Sequence, residues 1–208
     1  MRTRIQLSYD ATPGFSIKRF KAEMAKGGEN YDAYLYGLAL AQLDARQLDA
    51  ARLSAHELLK RHPNKTVFVI LAAEIDAADG YHLRAAQELH KHLLLSPNNH
   101  PLTMAYATAL TRHGNYKRAA HVLEKHTLER PLDPLVWYDL AEVAGLAQDI
   151  VAVHKARAEY FILTGALDQA QRQLGYALNL VRENYHESAR IRARKSDIQK
   201  MREELEEL

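Results

Sequence analysis

Small residues recur along the chain at intervals of 34. Two series of alanines keep this spacing, the second standing twelve residues after the first, and three prolines keep it as well. Alanine and leucine are abundant and glycine is scarce, which favours helices over strands. The pattern therefore predicts pairs of helices that approach closely at the alanines, with each pair ended by a proline. The positions are Ala39, Ala73, Ala107 and Ala141; Ala51, Ala85 and Ala119; and Pro63, Pro97 and Pro131.

Further residues share this phase. Gly80 and Gly114 fall where a turn between two helices is needed, and Leu89 and Leu123 follow their alanines by four. The chain resembles a tetratricopeptide-repeat protein, and the run Trp137 to Ala141 matches the start of that repeat. The resemblance implies an all-α solenoid of antiparallel helix pairs. We predict helices at 16–27, 32–45, 49–61, 66–79, 82–95, 101–113, 116–129, 134–147, 150–164, 167–182 and 187–207, with Trp137, Tyr116 and the alanines in the core.

One segment departs from the period. The stretch "TGALDQAQRQL" reads as another turn inside a helix pair, yet Ala170 follows Ala119 by 51 residues, one and a half repeats. We therefore expect the helix at 134–147 to lack its usual partner. A half-repeat slip near 147–150 should bend the solenoid there.

The last predicted helix carries one apolar stripe, which is typical of an amphipathic helix that closes a repeat array. Its stripe consists of Ile191, Ile198, Met201, Leu205 and Leu208.

Composition narrows the function. The formal net charge is +2, too small to indicate nucleic-acid binding in bulk, and the chain has no cysteine. No run approaches 18 apolar residues, so no membrane span is predicted. Residues 1–15 lack the apolar stretch of a signal peptide and are expected to be a linker remnant preceding a repeat domain at 16–208. We accordingly expect the chain to be a piece of a longer protein.

A zinc site is not predicted, although "AHELLKRHP" comes close to the protease signature H-E-x-x-H. That signature needs two histidines four residues apart on one helix face. His62 follows His56 by six residues and so lies on roughly the opposite side of the helix. His56 and His90 share a repeat position, as do His92 and His126, but metal binding needs three converging ligands. We predict no metal and no cofactor.

Neither catalysis nor nucleic-acid binding is predicted. The chain offers no nucleophile–base pair, phosphate loop or paired catalytic carboxylates, so it is not expected to be an enzyme by itself. A basic stretch between Arg182 and Lys195 is followed by four glutamates, which would repel phosphates, and it lacks the aromatic interleaving that proteins binding single-stranded nucleic acid use. A solvated helix face is the favoured interpretation.

Protein binding is the function that the repeat pattern favours. In this architecture one set of positions on the first helix of each pair faces the concave groove. The set is apolar and aromatic with two carboxylates, which suits an extended or unfolded apolar segment. An intramolecular helix filling the groove is the alternative. The predicted groove residues are Tyr36, Leu40, Ile70, Glu74, Met104, Thr108, Tyr138 and Glu142.

A closer resemblance covers nearly the whole chain. The segments "RTRI", "AEMAKGG", "YGLALAQLDARQLDAARLSAHELLKRHPN", "LDPLVWYDLAEV" and, above all, "ARAEYFILTGALDQAQRQL" resemble the C-terminal repeat region of the periplasmic zinc metallopeptidases of the β-barrel assembly-enhancing protease family. The resemblance implies a domain that recruits the β-barrel assembly machinery or its unfolded clients to a peptidase domain in the periplasm. No H-E-x-x-H occurs here, so no catalytic residue is implied for this chain. The alternative is a stand-alone cytosolic tetratricopeptide adaptor.

Overall fold

The computed structural model describes residues 12–206, and every regular element in that range is an α-helix. Each helix begins and ends within three residues of its predicted bounds. Residues 1–11, which include most of the predicted linker, and Leu208 lie outside the described residues. In chain order the helices are α1 (Pro13–Ala25), α2 (Tyr31–Asp44), α3 (Leu48–Arg61), α4 (Thr66–Ala78), α5 (His82–Leu95), α6 (His100–Arg112), α7 (Tyr116–Glu129), α8 (Pro134–Leu146), α9 (Ile150–Leu163), α10 (Leu167–Leu180) and α11 (Tyr185–Glu206).

The chain divides into two compact units. The first ends at His113 and contains α1 to α6, and the second begins at Gly114 and contains α7 to α11. In each unit, helices that follow one another along the chain pack side by side. The predicted helical repeat architecture is confirmed.

Helix α1 begins earlier than predicted because the residues before it form a capped start. The Thr12 hydroxyl oxygen accepts a hydrogen bond from the Phe15 N–H at 3.3 Å, and Pro13 occupies the first turn, where its missing N–H costs nothing. Ile17 and Phe20 then enter the core of the first unit beside Leu35.

The predicted core positions of the alanines are confirmed. Every member of both series is at least nine-tenths buried, and Ala39, Ala51, Ala85 and Ala119 are fully buried. A side chain of one carbon lets two helix backbones approach closely, and a larger one would push them apart. In the second unit Val153 takes the equivalent position, also buried.

The turns inside the helix pairs share one backbone geometry. A residue with positive φ recurs every 34 positions, at Arg46 (58°), Gly80 (85°), Gly114 (84°) and Gln148 (62°). After Arg46, Gly80 and Gln148, the next N–H reaches back into the preceding helix, as in the 2.8 Å bond from Tyr81 N–H to the Asp76 carbonyl. This pattern is the Schellman ending of a helix, which glycine favours and other residues adopt at a cost.

The expectation that the helix at 134–147 lacks a partner is wrong. Helix α8 packs against α9, and the turn between them at Gln148 keeps the 34-residue phase. The sequence pattern concealed this turn because its positive-φ residue is not a glycine. A second turn of the same kind follows 17 residues later at Gly165 (φ 78°), where the Ala166 N–H bonds the Phe161 carbonyl at 2.8 Å.

The 34-residue spacing of the turns therefore holds as far as Gln148, and the half-repeat offset falls at the next turn, after α9, and not at 147–150. Helix α9 has a tight turn at each end and packs against both α8 and α10. The bend expected from this offset stays a prediction.

Trp137 and Tyr116 are not core residues, contrary to prediction. Both side chains are half-buried, while the neighbouring Val136 is fully buried. The Trp137 indole N–H donates to the Pro131 carbonyl at 2.9 Å, which satisfies its polar atom and leaves part of the ring at the surface.

Helix α11 is joined to its neighbours by ion pairs that the sequence pattern did not indicate. The Arg194 guanidinium donates two hydrogen bonds to the Glu159 carboxylate in a bidentate ion pair, with N–O distances of 2.8 and 2.6 Å. Arg202 pairs with Asp168. Ile191 and Ile198 of the predicted stripe are buried, whereas Leu205 is mostly exposed. The basic stretch is thus partly used in packing and is not wholly solvated.

We predict that Gln148→Gly stabilises the chain by about 0.5–1 kcal/mol, since glycine adopts positive φ without the clash that a β-carbon causes. The free energy of unfolding from chemical denaturation measures the effect. Gln87→Gly, the same chemical change on the exposed side of α5, should instead destabilise by about 1 kcal/mol. A loss of stability in both variants would contradict the assigned turn geometry.

Candidate protein-binding groove

In the first unit, the structure brings three of the predicted groove residues together. Helices α4 and α6 contact each other, and a pocket of about 140 Å³ between them is lined by Ile70, Glu74 and Thr108. Its remaining lining is Leu89, Arg112 and the alanines at 73, 77, 105 and 109. Small side chains keep this face shallow and apolar, so a ligand side chain of modest size could lie between the two helices.

The other predicted residues of this unit differ in exposure. Met104 is half-buried on α6, near the pocket in sequence but outside its lining. Tyr36 and Leu40 are buried, with only 7% and 6% of their surface exposed. The Tyr36 ring lies 5.8 Å from the Phe68 ring within the core, so these two residues offer a ligand little surface.

In the second unit, the two predicted groove residues lie on α8 beside residues of α9. Tyr138 is about half exposed, and its ring lies 5.7 Å from that of Tyr160, which in turn packs 5.5 Å from Phe161. Glu142 is exposed, with its carboxylate 3.6 Å from the Arg157 guanidinium. This unit therefore presents an aromatic patch with one loosely paired carboxylate.

Arg112, Arg157 and Tyr160 were missed by sequence reasoning. Arg112 follows Thr108 by four residues, the spacing that keeps residues on one helix face, so the signal was available one turn further along α6. Arg157 and Tyr160 lie on α9, whose pairing with α8 could not be recognised without the Gln148 turn. The predicted groove residues are apolar, aromatic or acidic, whereas the structure adds two arginines beside them.

Asp139 lies close to two other carboxylates in the second unit. Burial raises the pKa of its carboxyl group, and the nearby carboxylates of Glu142 and Asp133 raise that pKa further. Directly beside Asp139, a negatively charged group of a ligand would be repelled, while apolar or cationic groups would be tolerated.

Metal binding and membrane crossing have no support in the part of the chain that the structure describes. No three His, Asp or Glu side chains within residues 12–206 converge in a way that could hold a metal ion. Within the same range, no helix combines the length and the apolar character needed to cross a bilayer.

Comparisons with known proteins agree with this architecture. The β-barrel assembly-enhancing protease of Escherichia coli (strain K12) is 30% identical over 182 residues, which cover 87% of this chain and 37% of that protein. The Yersinia pestis protein of the same name is 29% identical over 171 residues, covering 81% and 35%. The chain thus spans little more than a third of these relatives. No protein-family model matches it.

Solved structures show the same fold. A MamA fragment from Desulfovibrio magneticus RS-1 superposes with a TM-score of 0.55 at 19% identity, over 82% of this chain and 96% of that one. A tetratricopeptide-repeat protein of Thermus thermophilus gives 0.51 at 20% identity, over 95% and 96%. The chain is a tetratricopeptide-repeat domain similar to part of the β-barrel assembly-enhancing protease.

We predict that Asp139→Asn raises the melting temperature at pH 7. A carboxyl group whose pKa is raised by folding binds protons more readily in the folded state, so its ionised form opposes folding above that pKa. The gain in melting temperature should shrink as the pH falls from the raised pKa of the folded chain towards the ordinary value of 3.8. It should vanish at lower pH, where the carboxyl group is protonated in both the folded and the unfolded chain.

Glu29→Gln, which neutralises an exposed carboxylate in the loop before α2, provides the control. Its effect on the melting temperature should be small at every pH. If Asp139→Asn were destabilising at pH 7, or its effect independent of pH, the assigned environment of Asp139 would be incorrect.

Proposed function

We propose that this chain is the partner-recruiting repeat domain of a periplasmic zinc metallopeptidase involved in quality control of outer-membrane protein assembly. The observation that carries the proposal is the similarity to the β-barrel assembly-enhancing proteases, which extends over 87% of the chain. The chain itself contributes binding and no catalysis. Its activity, clients and location in the full protein are part of the proposal.

The groove residues support an apolar, extended ligand. The pocket between α4 and α6 combines Ile70 and several alanines with the polar groups of Glu74, Thr108 and Arg112 at its edges. Such a surface can accept one apolar side chain while hydrogen-bonding to an adjacent peptide backbone. Unfolded outer-membrane proteins offer this alternation, since their strands carry an apolar residue at every second position.

The aromatic patch of the second unit can also bind an apolar, extended ligand. Tyr138 and Tyr160 present ring surface beside Glu142 and Arg157, and aromatic rings give large contact area at low entropic cost. The alternative function, a stand-alone cytosolic adaptor, would use the same surfaces for a folded partner. Binding of an unfolded segment by the groove residues would favour the periplasmic interpretation.

We predict that Thr108→Arg weakens binding of a urea-unfolded outer-membrane β-barrel protein by about tenfold or more, because the long side chain would fill the small pocket and exclude an apolar side chain of the client. The measurement is fluorescence anisotropy of the labelled client after dilution from urea. Leu94→Arg adds the same side chain at an exposed position on α5 and should leave binding unchanged.

Equal binding by the wild-type chain and Thr108→Arg, with both folded by circular dichroism, would exclude the α4–α6 pocket as the client site. Tyr138→Ala tests the second unit separately. A client that bound the wild-type chain, Thr108→Arg and Tyr138→Ala alike would contradict the assignment of the groove as a whole.

A further inference from the structure

The second unit carries a large pocket outside the proposed groove. Its volume is about 550 Å³, and it lies over α8, between the facing sides of α7 and α9. Trp137 and Leu140 of α8 line it, together with Leu128 of α7 and several alanines. Trp137, half-buried here, is the chain's single tryptophan. None of the predicted groove residues lines this pocket.

The equivalent pocket in the first unit is closed by ion pairs. It lies over α4, between α3 and α5, and its volume is only about 180 Å³. Arg52 contacts Asp79 at 2.5 Å and Asp76 at 3.6 Å, while Arg84 contacts Asp76 at 2.5 Å. These side chains extend across the space between the helices and occupy much of it, which leaves only the smaller volume.

Two repeats later, the residues that close the first pocket are all replaced by alanine. A shift of 68 positions converts Arg52, Asp76, Asp79 and Arg84 into Ala120, Ala144, Ala147 and Ala152. The same shift replaces the buried Val69 by Trp137. The larger pocket is thus a consequence of removing four charged side chains and adding an aromatic ring.

Two charged positions of the first unit also have the opposite sign in the second unit. Asp49 and Glu57 of α3 correspond to Lys117 and Lys125 of α7, both of which line the pocket. Neither lysine side chain has an ion pair or hydrogen bond with another of the described residues.

The lining also carries Lys155 and two carboxylates, Asp149 and Glu124. Lys155 pairs with Glu187, and the Asp149 carboxylate accepts the Ala152 N–H at 2.9 Å. Glu124 lies 3.9 Å from the His121 ring nitrogen. Lys155 is thus neutralised by its partner, whereas Lys117 and Lys125 have no ion pair among the described residues and are available to bind negative charge.

We propose that this pocket binds an extended acidic segment of a protein partner, with one bulky apolar side chain on Trp137 and Leu140 and two carboxylates for Lys117 and Lys125. The spacing fits this ligand. Eight residues of helix separate the two lysines, a rise of about 12 Å. In an extended strand, residues two before and two after a central side chain lie about 13 Å apart.

The test uses the fluorescence of Trp137, because any ligand seated on the ring changes its emission. The probe is the capped peptide Glu-Ser-Phe-Ser-Glu, titrated at low ionic strength into the full chain. The expected result is a saturable change that weakens as salt is added. The peptides Lys-Ser-Phe-Ser-Lys and Glu-Ser-Ala-Ser-Glu should give changes at least about tenfold weaker in affinity, since each lacks one element of the ligand.

Two variants locate the site. Ala120→Arg combined with Ala147→Asp restores the Arg52–Asp79 pair of the first unit at half-buried positions and should abolish binding. Lys117→Asp combined with Lys125→Glu should weaken binding about tenfold or more. Lys18→Asp combined with Lys21→Glu makes the same charge change on exposed residues of α1 and should have no effect.

Three results would overturn the proposal. The first is the absence of a saturable signal with Glu-Ser-Phe-Ser-Glu in the folded chain. The second is an equal response to a short thymidine oligonucleotide, which would make the pocket a general polyanion site. The third is a self-association, seen by sedimentation, that Lys117→Asp with Lys125→Glu abolishes, which would make a second copy of the chain the occupant.

Discussion

Close approach of neighbouring helices at alanine is the constraint on which the rest of this structure depends. Ala51 and Ala85 are fully buried on the second helix of their pairs, where a methyl group leaves room for the preceding helix to approach closely. Each contact fixes the distance within a helix pair, and the turn between the helices follows from that distance. The Schellman geometry at Arg46 and Gln148 shows that packing decides the turn even where the residue does not favour it.

Because these contacts hold the framework, the remaining positions of each repeat are free to carry different chemistry. The first unit places Arg52, Asp76 and Arg84 in an ion-pair network at the same positions that the second unit leaves to alanine. One architecture thus yields a closed surface in one unit and a large pocket beside Trp137 in the other. The groove positions vary in the same way, from the buried Tyr36 to the exposed Tyr138.

The sequence predicted those features that depend on local pattern, namely the helices, their period and the alanine contacts. It did not predict the pairing of α8 with α9, because the glycine expected at the turn is Gln148 and only packing shows that the backbone adopts positive φ there. Trp137 was assigned to the core from its position in the repeat. That prediction failed because burial of a large ring depends on its neighbours, which here are alanines too small to cover it. In the groove, the sequence identified Ile70, Glu74 and Thr108 together, but the exposure of each and the contribution of Arg112 depend on packing between helices.

The central claim, that this chain serves as the recruiting domain of a periplasmic metallopeptidase, is tested most directly by isolating the natural protein that contains it. An antibody raised against residues 12–206 would be used on fractionated source cells, and the captured polypeptide sequenced by mass spectrometry. The account predicts a periplasmic protein considerably larger than 23.6 kDa, carrying H-E-x-x-H in the part that precedes this chain. A cytoplasmic polypeptide of about that mass, without the signature, would contradict it.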